Sequence, residues 1–387
     1  MNQQVTQQLT LYDLLARTWD CRQAIDATCF SRDGAAAVFA LEGGSLAIAA
    51  TKDGEPAETR IRTGIDDGRS TIRRRASPPS PLTLVTPEGG CLSCPVPFGE
   101  SDFLVGSDHG RVLQMGADGQ TRETAMAFDG PILALDHDQK AGQKTGRKTG
   151  RKTGVTVASD GATVLFSADL ASVSVHEARQ TGTIGAVALS PDGRHLAVAD
   201  DAAVTVSQLG ASTSEALIFS LPGRAVAIAW SPDGRWLACP LDRHGLCLVD
   251  VAARTSTVLE RFPAPVCSAA FSFSADALVG AGAFRITAWS MAAAPMQDPR
   301  SGAMETGNRG LVAVDRVAAH PIRSLVAAAY ENGQIVVAQL GLPDELVVRP
   351  AGTAVTALAW SPDGRYLAVG TADGKAALVD FPSQIFK

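Results

Sequence analysis

The chain has 387 residues, of which 45% are hydrophobic and 19% charged, with a net charge of −6 and a pI near 5.6. An acidic balance argues against a dedicated nucleic-acid binder, which needs a basic surface to displace counterions from phosphates. No apolar run reaches the roughly 18 residues of a membrane span, and seven irregularly spaced cysteines fit reduced thiols better than a disulfide framework.

The first 24 residues, "MNQQVTQQLTLYDLLARTWDCRQA", are Gln-rich and carry neither a basic n-region nor an apolar h-region. They read as no secretory signal, so a cytoplasmic location is expected. From residue 25 onward one pattern recurs. "IDATCFSRDGAAAVFALEGGSLAIAA" opens it, and "CLSCPVPFGESDFLVGSDHGRVL" is a weaker second copy. "GPILALDHD" begins a third. The clearest copies start at Gly185 ("GAVALSPDGRHLAVADDAAVTVSQ"), Ala225 ("AVAIAWSPDGRWLACPLDRHGLCLVD") and Ala354 ("AVTALAWSPDGRYLAVGTADGKAALVD"). Each runs apolar stretch, Ser-Pro-Asp-Gly, apolar stretch, polar turn, apolar stretch. Pro presets φ at the first corner, Asp bonds back to the backbone, and Gly accepts positive φ. Apolar runs of about five or six residues suit short strands buried on both faces.

Turn-opening residues Ser190, Ser231 and Ser272 lie 41 residues apart, as do His320 and Ser361, and Pro97 and the aligned Asp138. With Ser31 these markers count eight units. A period near 41 with about four strands per unit predicts an all-β fold, a β-propeller of four-stranded antiparallel blades. The alternative is seven blades, if the weak second unit is misread. The segment around Leu15–Trp19 is expected to supply the outer strand that closes the last blade, so that residues 1–24 serve the propeller of residues 25–387.

Three stretches exceed the period. Residues 59–83 are expected to join the outer strand of the first unit to the inner strand of the second. Residues 144–154 extend the hairpin between the first two strands of the third unit, and residues 294–310 form a loop after the sixth. The first two insertions are basic, and this placement puts them on opposite faces of the disc.

The repeat resembles the WD40 family, on the motif of apolar run, Ser/His-Pro-Asp-Gly, apolar run, Asp-Gly, apolar run over roughly residues 25–380. No unit has the family's Gly-His dipeptide and none ends in Trp-Asp; Leu-Val-Asp at 248–250 and 378–380 comes nearest. TolB-like and lactonase-like propellers also use Ser-Pro-Asp-Gly turns. The WD40 resemblance implies a rigid disc that binds one or more proteins or peptides on its surfaces, without catalysis or cofactor.

Chemical motifs are sparse. The Lys-Thr-Gly tract, "GQKTGRKTGRKTG" at 142–154, lacks Walker spacing, because Gly146 and Gly150 are each followed by Arg. A flexible loop expanded by duplication is the simpler reading, with Arg147, Lys148, Arg151 and Lys152 as candidate contacts to an acidic partner. Arg73, Arg74 and Arg75 before Ser77 resemble a basophilic kinase site and form a second candidate contact loop, against a plain solvated loop. Cys91 and Cys94 make a single CxxC, expected in the inner strand of the second unit as core residues. Cys239, Cys247 and Cys267 are expected to be core too. Asp136-His137-Asp138 reads as a strand end rather than a metal site, His109 falls in a turn, and His320 takes the Ser position of its turn. The competing function is a channel-bound enzyme or small-ligand binder, such as a lactonase-like hydrolase. The aligned strand starts Ile25, Ile132, Ala225, Val266 and Ala354 are apolar or small, which favours the scaffold.

Overall fold

A computed structural model gives the architecture and describes residues 9–63, 70–91, 95–128, 130–137, 155–159, 163–167, 173–176, 184–209, 216–243 and 245–386. Among the described residues the repeats fold as seven four-stranded antiparallel sheets of a propeller, each running from an inner to an outer strand. Eight four-stranded units are therefore corrected to seven. The unit marked by Ser272 builds three strands only: Ala269–Ser272, Ala277–Gly280 and Thr287–Ser290. Its outer edge is covered by residues 299–304 instead. Trp289 bridges Ala303, the Ser290 N–H donates to the Gly302 carbonyl at 2.7 Å, and the Trp289 indole donates to the Pro299 carbonyl at 2.9 Å. The weak second unit forms a full sheet, from Val96–Phe98 to Thr121–Ala127.

Inner strands succeed one another around the ring, and Val355–Trp360 returns to pack beside Ile25–Phe30. The ring is closed by Ala16–Asp20, which pairs antiparallel with Lys375–Asp380, from Ala16 opposite Val379 to Asp20 opposite Lys375. The sheet opened by Ser361 thus takes its outer strand from the other end of the chain. Pairing here removes a free sheet edge that would template aggregation.

Second strands such as Ala36–Leu41, Trp236–Leu241 and Tyr366–Thr371 are buried along their whole length. Sheets cover both of their faces, which is why these sequences run continuously apolar instead of alternating. The core lies between sheets: Ala327, Ala329, Ile335 and Val337 of the His320 sheet meet Leu367, Val369, Ala377 and Val379 of the next. Alanines let the sheets approach near the axis, while each fully buried Val or Leu contributes about 1.5–3 kcal/mol.

The extra residues after the first unit lie elsewhere than the sequence suggests. They fall between the third strand Leu46–Ala50 and the outer strand Thr83–Val85, and carry a short helix, Ala57–Arg60, and a hairpin, Ile61–Thr63 with Ser70–Ile72. In an antiparallel meander, connections from first to second strand and from third to outer strand leave at one end. The described part of residues 59–83 therefore lies at the end of the sheet where its first strand turns into its second, while the Lys-Thr-Gly tract lies outside the described residues. The expectation that the two basic insertions take opposite faces rests on residues outside those described. An outer strand of three residues, Thr83–Val85, is too short to be seen behind a long polar insertion.

Candidate functional site

The turns between first and second strands tile one face of the disc. In four of them a buried Ser hydroxyl donates to the Asp two residues on: Ser31 to Asp33 and Ser190 to Asp192 at 2.6 Å, Ser231 to Asp233 and Ser361 to Asp363 at 2.5 Å. The same hydroxyl accepts an N–H from the start of the second strand, as Ser231 does from Trp236 and Ser361 from Tyr366, both at 2.8 Å. Each Asp also accepts the N–H two residues further on, so the turn's polar groups are satisfied internally. Burial acts to raise the Asp33 carboxyl, but the Ser101 and Ser31 hydroxyls and the Ala35 N–H outweigh it and hold it below its ordinary value.

His320 does this work differently. Its Nδ1 accepts the Ile322 and Arg323 N–H groups at 3.1 and 3.0 Å, and its Nε2 faces the Gly364 carbonyl of the neighbouring turn at 3.1 Å. Two N–H donors on Nδ1 require the neutral ring protonated on Nε2. Burial lowers its pKa, opposed by the Gly364 carbonyl. Gly364 has φ +70°, and a Cβ there would lie 2.2 Å from the imidazole, so glycine is required on both counts. Trp360 packs against the ring in a tilted contact, 4.8 Å between centroids, and Phe381 and Phe386 pack on Trp360 at 5.4 and 6.4 Å.

The Leu-Val-Asp endings have a partner that the sequence does not advertise. Asp250 holds Arg235 through Nη2 at 2.6 Å and Nε at 3.1 Å, and Asp380 holds Arg365 through Nε at 2.8 Å. Each Arg follows a Ser-Pro-Asp-Gly turn, 15 residues before its Asp. The strand register puts Trp236 opposite Asp250 and Tyr366 opposite Asp380. Burial acts to raise the Asp250 carboxyl, and the Arg235 guanidinium together with the Ala253 N–H brings it below its usual range.

On the same face, residues 53–80 stitch the closing strand to the Ser31 sheet. The buried Arg17 guanidinium donates to the carbonyls of Ala50 and Thr51 at 3.0 and 2.9 Å, and the buried Arg60 donates to those of Leu14 and Arg73 at 2.6 and 2.8 Å. The Trp19 indole donates to the Ser80 carbonyl at 2.7 Å. Glu58 pairs with Arg365, and Asp380 accepts the Ala57 N–H at 2.8 Å. The three candidate arginines separate within this knot. Arg75 turns inward onto Asp53, leaving its side chain 13% exposed. Arg73 is 61% exposed but pairs with Glu55 at 2.9 Å, and Arg74 is exposed. Ser77 is exposed, and its N–H donates to Glu55. Arg147, Lys148, Arg151 and Lys152 lie outside the described residues. Nothing in the sequence marks Arg17 or Arg60 as buried, because each sits among polar neighbours and finds its carbonyl partners only across the fold.

The inner ring departs from the sequence reading. Ile25, Ile132, Ala225 and Val266 are fully buried between sheets and do not line the ring. β-bulges follow directly: register shifts lie between Ile25 and Ala27, Ile132 and Ala134, Val314 and Arg316, and Val355 and Ala357. A bulge adds one residue and re-aims its side chain. The residues turned out of the core are Asp26, Leu133, Asp315 and Thr356, joined by Val226 and Cys267. Several ring groups tie neighbouring sheets together. Ser268 donates to the Val317 carbonyl at 3.1 Å, Arg316 to the Thr356 carbonyl at 3.0 Å, Thr356 to the Ile25 carbonyl, and Cys29 to the Pro95 carbonyl at 3.1 Å. Asp136 accepts the Leu189 N–H at 2.6 Å. A cavity of about 520 Å³ opens among four consecutive inner strands, lined by Leu133, Asp136, Val187, Val226 and Trp230 among others.

Cys267 is exposed, against the expectation of a core thiol, because it occupies the turned-out position after Val266. Cys239 and Cys247 are buried opposite one another, and burial pushes the Cys247 thiol up to about 12. Cys91 is buried and bridges Ser107 ahead of the inner strand Val96–Phe98, not within it, and Cys94 lies outside the described residues. His137 ends its strand, Asp138 lies outside the described residues, and His109 sits exposed in a turn 3.6 Å from Asp108. Among the described residues, no group of three or more His, Cys, Asp or Glu could hold a metal, and no helix is long and apolar enough to cross a membrane.

Residues 317–384 match the family model described as "Anaphase-promoting complex subunit 4 WD40 domain". A search of curated proteins finds no match. The matched stretch spans the His320 turn, the Ser361 turn and the strand that receives the closing strand. The chain is thus a β-propeller with WD40-like similarity over its last two sheets.

Proposed function

We propose that the protein is a non-catalytic, WD40-like scaffold that binds one or more proteins through the surfaces of its disc. One observation carries this reading: five polar groups of the inner ring are used to join sheets. Ser268, Arg316, Thr356, Cys29 and Asp136 all bond across to a neighbouring strand's backbone. Groups engaged in this way are not held ready for a substrate. The matched family description names a subunit of a complex, which agrees with a role in assembly. On this reading the three-stranded Ser272 sheet serves as an eighth sector, since its inner strand lies between those of the Ser231 and His320 sheets. The reading includes a cytoplasmic location, and it gives Arg73 and Arg74 a part in partner contact while Arg75 holds the loop. Function resides in surface sites and not in the fold, so the surfaces are where tests belong.

Affinity purification from native cells is the test, run with the full chain and with residues 144–154 deleted. The scaffold predicts reproducible co-purification of a protein partner. Because the deletion falls between two strands of one hairpin, the melting temperature should stay within about 2 °C, as for a surface loop change. A second reading, a small-ligand binder or hydrolase at the ring, is favoured by the turned-out Asp26, Asp315 and Cys267. Hydrolysis of a lactone or ester by pure protein, lost in Asp26→Asn or Asp315→Asn, would establish it over the scaffold.

A further inference from the structure

A groove of about 630 Å³ runs between the His320 sheet and the chain's last residues. Its floor is Leu325, Val337 and Leu346, and one wall is Ile385 and Phe386. The other side carries Ile322, Asp344 and Glu345. Ile322 offers an apolar side chain at the groove, 61% exposed. An isolated exposed apolar residue is ordinary, but Ile322 joins Leu325, Val337, Leu346, Ile385 and Phe386 in one concave lining, the kind of apolar surface used for binding.

The charges at this groove set the chemistry of the occupant. Arg323 lines it and donates to the Phe386 carbonyl, which fixes the tail as a wall; that acceptor is neutral, so the guanidinium keeps its charge. Glu345 accepts the Asn308 N–H at 2.8 Å and the Tyr330 hydroxyl at 3.3 Å; both donors are neutral, so its charge is left uncompensated by them. Asp344 is exposed and has no ion pair among the described residues. The groove therefore presents apolar walls and a lining with two carboxylates, Asp344 and Glu345, against one guanidinium, Arg323, a net acidic balance. Apolar contacts anchor a peptide and rim charges select it.

We propose that this groove docks an extended peptide segment of a partner protein, one that places a large apolar side chain beside a lysine or arginine. The proposal rests on the scaffold reading and assigns it a surface. The apolar anchor enters between Ile322, Leu325 and Phe386, and the cation meets Asp344 and Glu345. Both Ile322 and Asp344 are exposed, so each can be changed without disturbing the core.

The test is selection of random dodecapeptides displayed on phage against the intact protein. The best enriched peptide is then synthesised and titrated by fluorescence anisotropy. Enriched sequences should pair Leu, Ile, Phe or Trp with an adjacent Lys or Arg. Ile322→Asp and Asp344→Lys should each weaken binding about tenfold, as hot-spot substitutions do, with unchanged melting temperatures. Binding by wild type should weaken as salt rises, and Asp344→Lys should flatten that dependence. If the selected peptide binds both variants as tightly as wild type, the groove is the wrong surface while the scaffold reading stands. If no peptide enriches, the groove proposal fails, and partner co-purification still decides the scaffold independently. Saturable binding of a small apolar molecule instead of a peptide would likewise overturn it.

Discussion

At the residue scale, the turns show one structural task performed by two chemistries. A Ser hydroxyl does it at Ser31, Ser190, Ser231 and Ser361, and an imidazole does it at His320. The difference matters because only the imidazole titrates near neutral pH. Protonation would put a hydrogen on Nδ1 and set it against the Ile322 and Arg323 N–H groups. Charged and titrating groups near the ring are Arg323, which opposes protonation, and Asp363, which favours it. Burial wins, so the folded pKa lies below the ordinary value of 6.5. The sign follows: the unfolded chain binds the proton more readily, so this contribution is complete above about pH 6.5 and is lost as pH falls below it. Urea denaturation at a series of pH values should show stability declining from about pH 7 to 5 in the wild type, with a shallower decline in His320→Ser. Equal slopes in the two proteins would remove His320 from the account. The role of His320 as the turn's Ser equivalent was legible from the spacing of 41 residues to Ser361. Its bond to Gly364 was not, because that contact joins two turns.

At the scale of elements, the Arg–Asp pairs illustrate how context sets the value of one motif. Asp250 and Asp380 end equivalent strands and hold equivalent arginines, but their surroundings differ. Asp250 serves Arg235, whose side chain is 52% exposed, and the N–H of the exposed Ala253, whereas Asp380 caps the buried Ala57 and stands beside the Glu58–Arg365 pair. Removing Asp380 strands a buried N–H and part of a guanidinium, while removing Asp250 leaves Arg235 and the exposed Ala253 N–H to water. Asp380→Ala should cost about 2–4 kcal/mol, and Asp250→Ala about 1 kcal/mol, because surface pairs contribute little and stranded buried donors cost more. Thermal and urea unfolding of the two variants measure this, and equal losses would argue against the insertion's part in the difference. The repeat made the strands and turns legible. It could not place the insertion, because Thr83–Val85 has only three residues to announce itself after a long polar stretch. Nor could it reveal the bulges, since the sequence of a bulged strand lacks any distinct residue type; Asp26, Leu133, Asp315 and Thr356 share none.

At the scale of the whole molecule, the decisive event is closure. Ala16–Asp20 must find Lys375–Asp380 across the full length of the chain, and Arg17, Trp19 and Arg60 fasten the joint. Contacts so distant in sequence are expected to form late in folding. Deleting residues 9–20 should leave the Lys375–Asp380 edge open, lower the melting temperature by about 5 °C or more, and promote association through that edge. Size-exclusion chromatography with light scattering, alongside calorimetry, reads both effects. A monomeric deletion variant with the wild-type melting temperature would show that closure lies elsewhere. The sequence by itself determined the all-β class, the repeating turns and the runs that become buried strands, because these depend on local pattern and backbone chemistry. Only the tertiary structure decided which unit lacks its fourth strand, where in the first unit the insertion falls, which residues turn toward the ring, and which arginines are buried. Each of those outcomes depends on partners dozens to hundreds of residues away, and no local pattern encodes a partner at that distance.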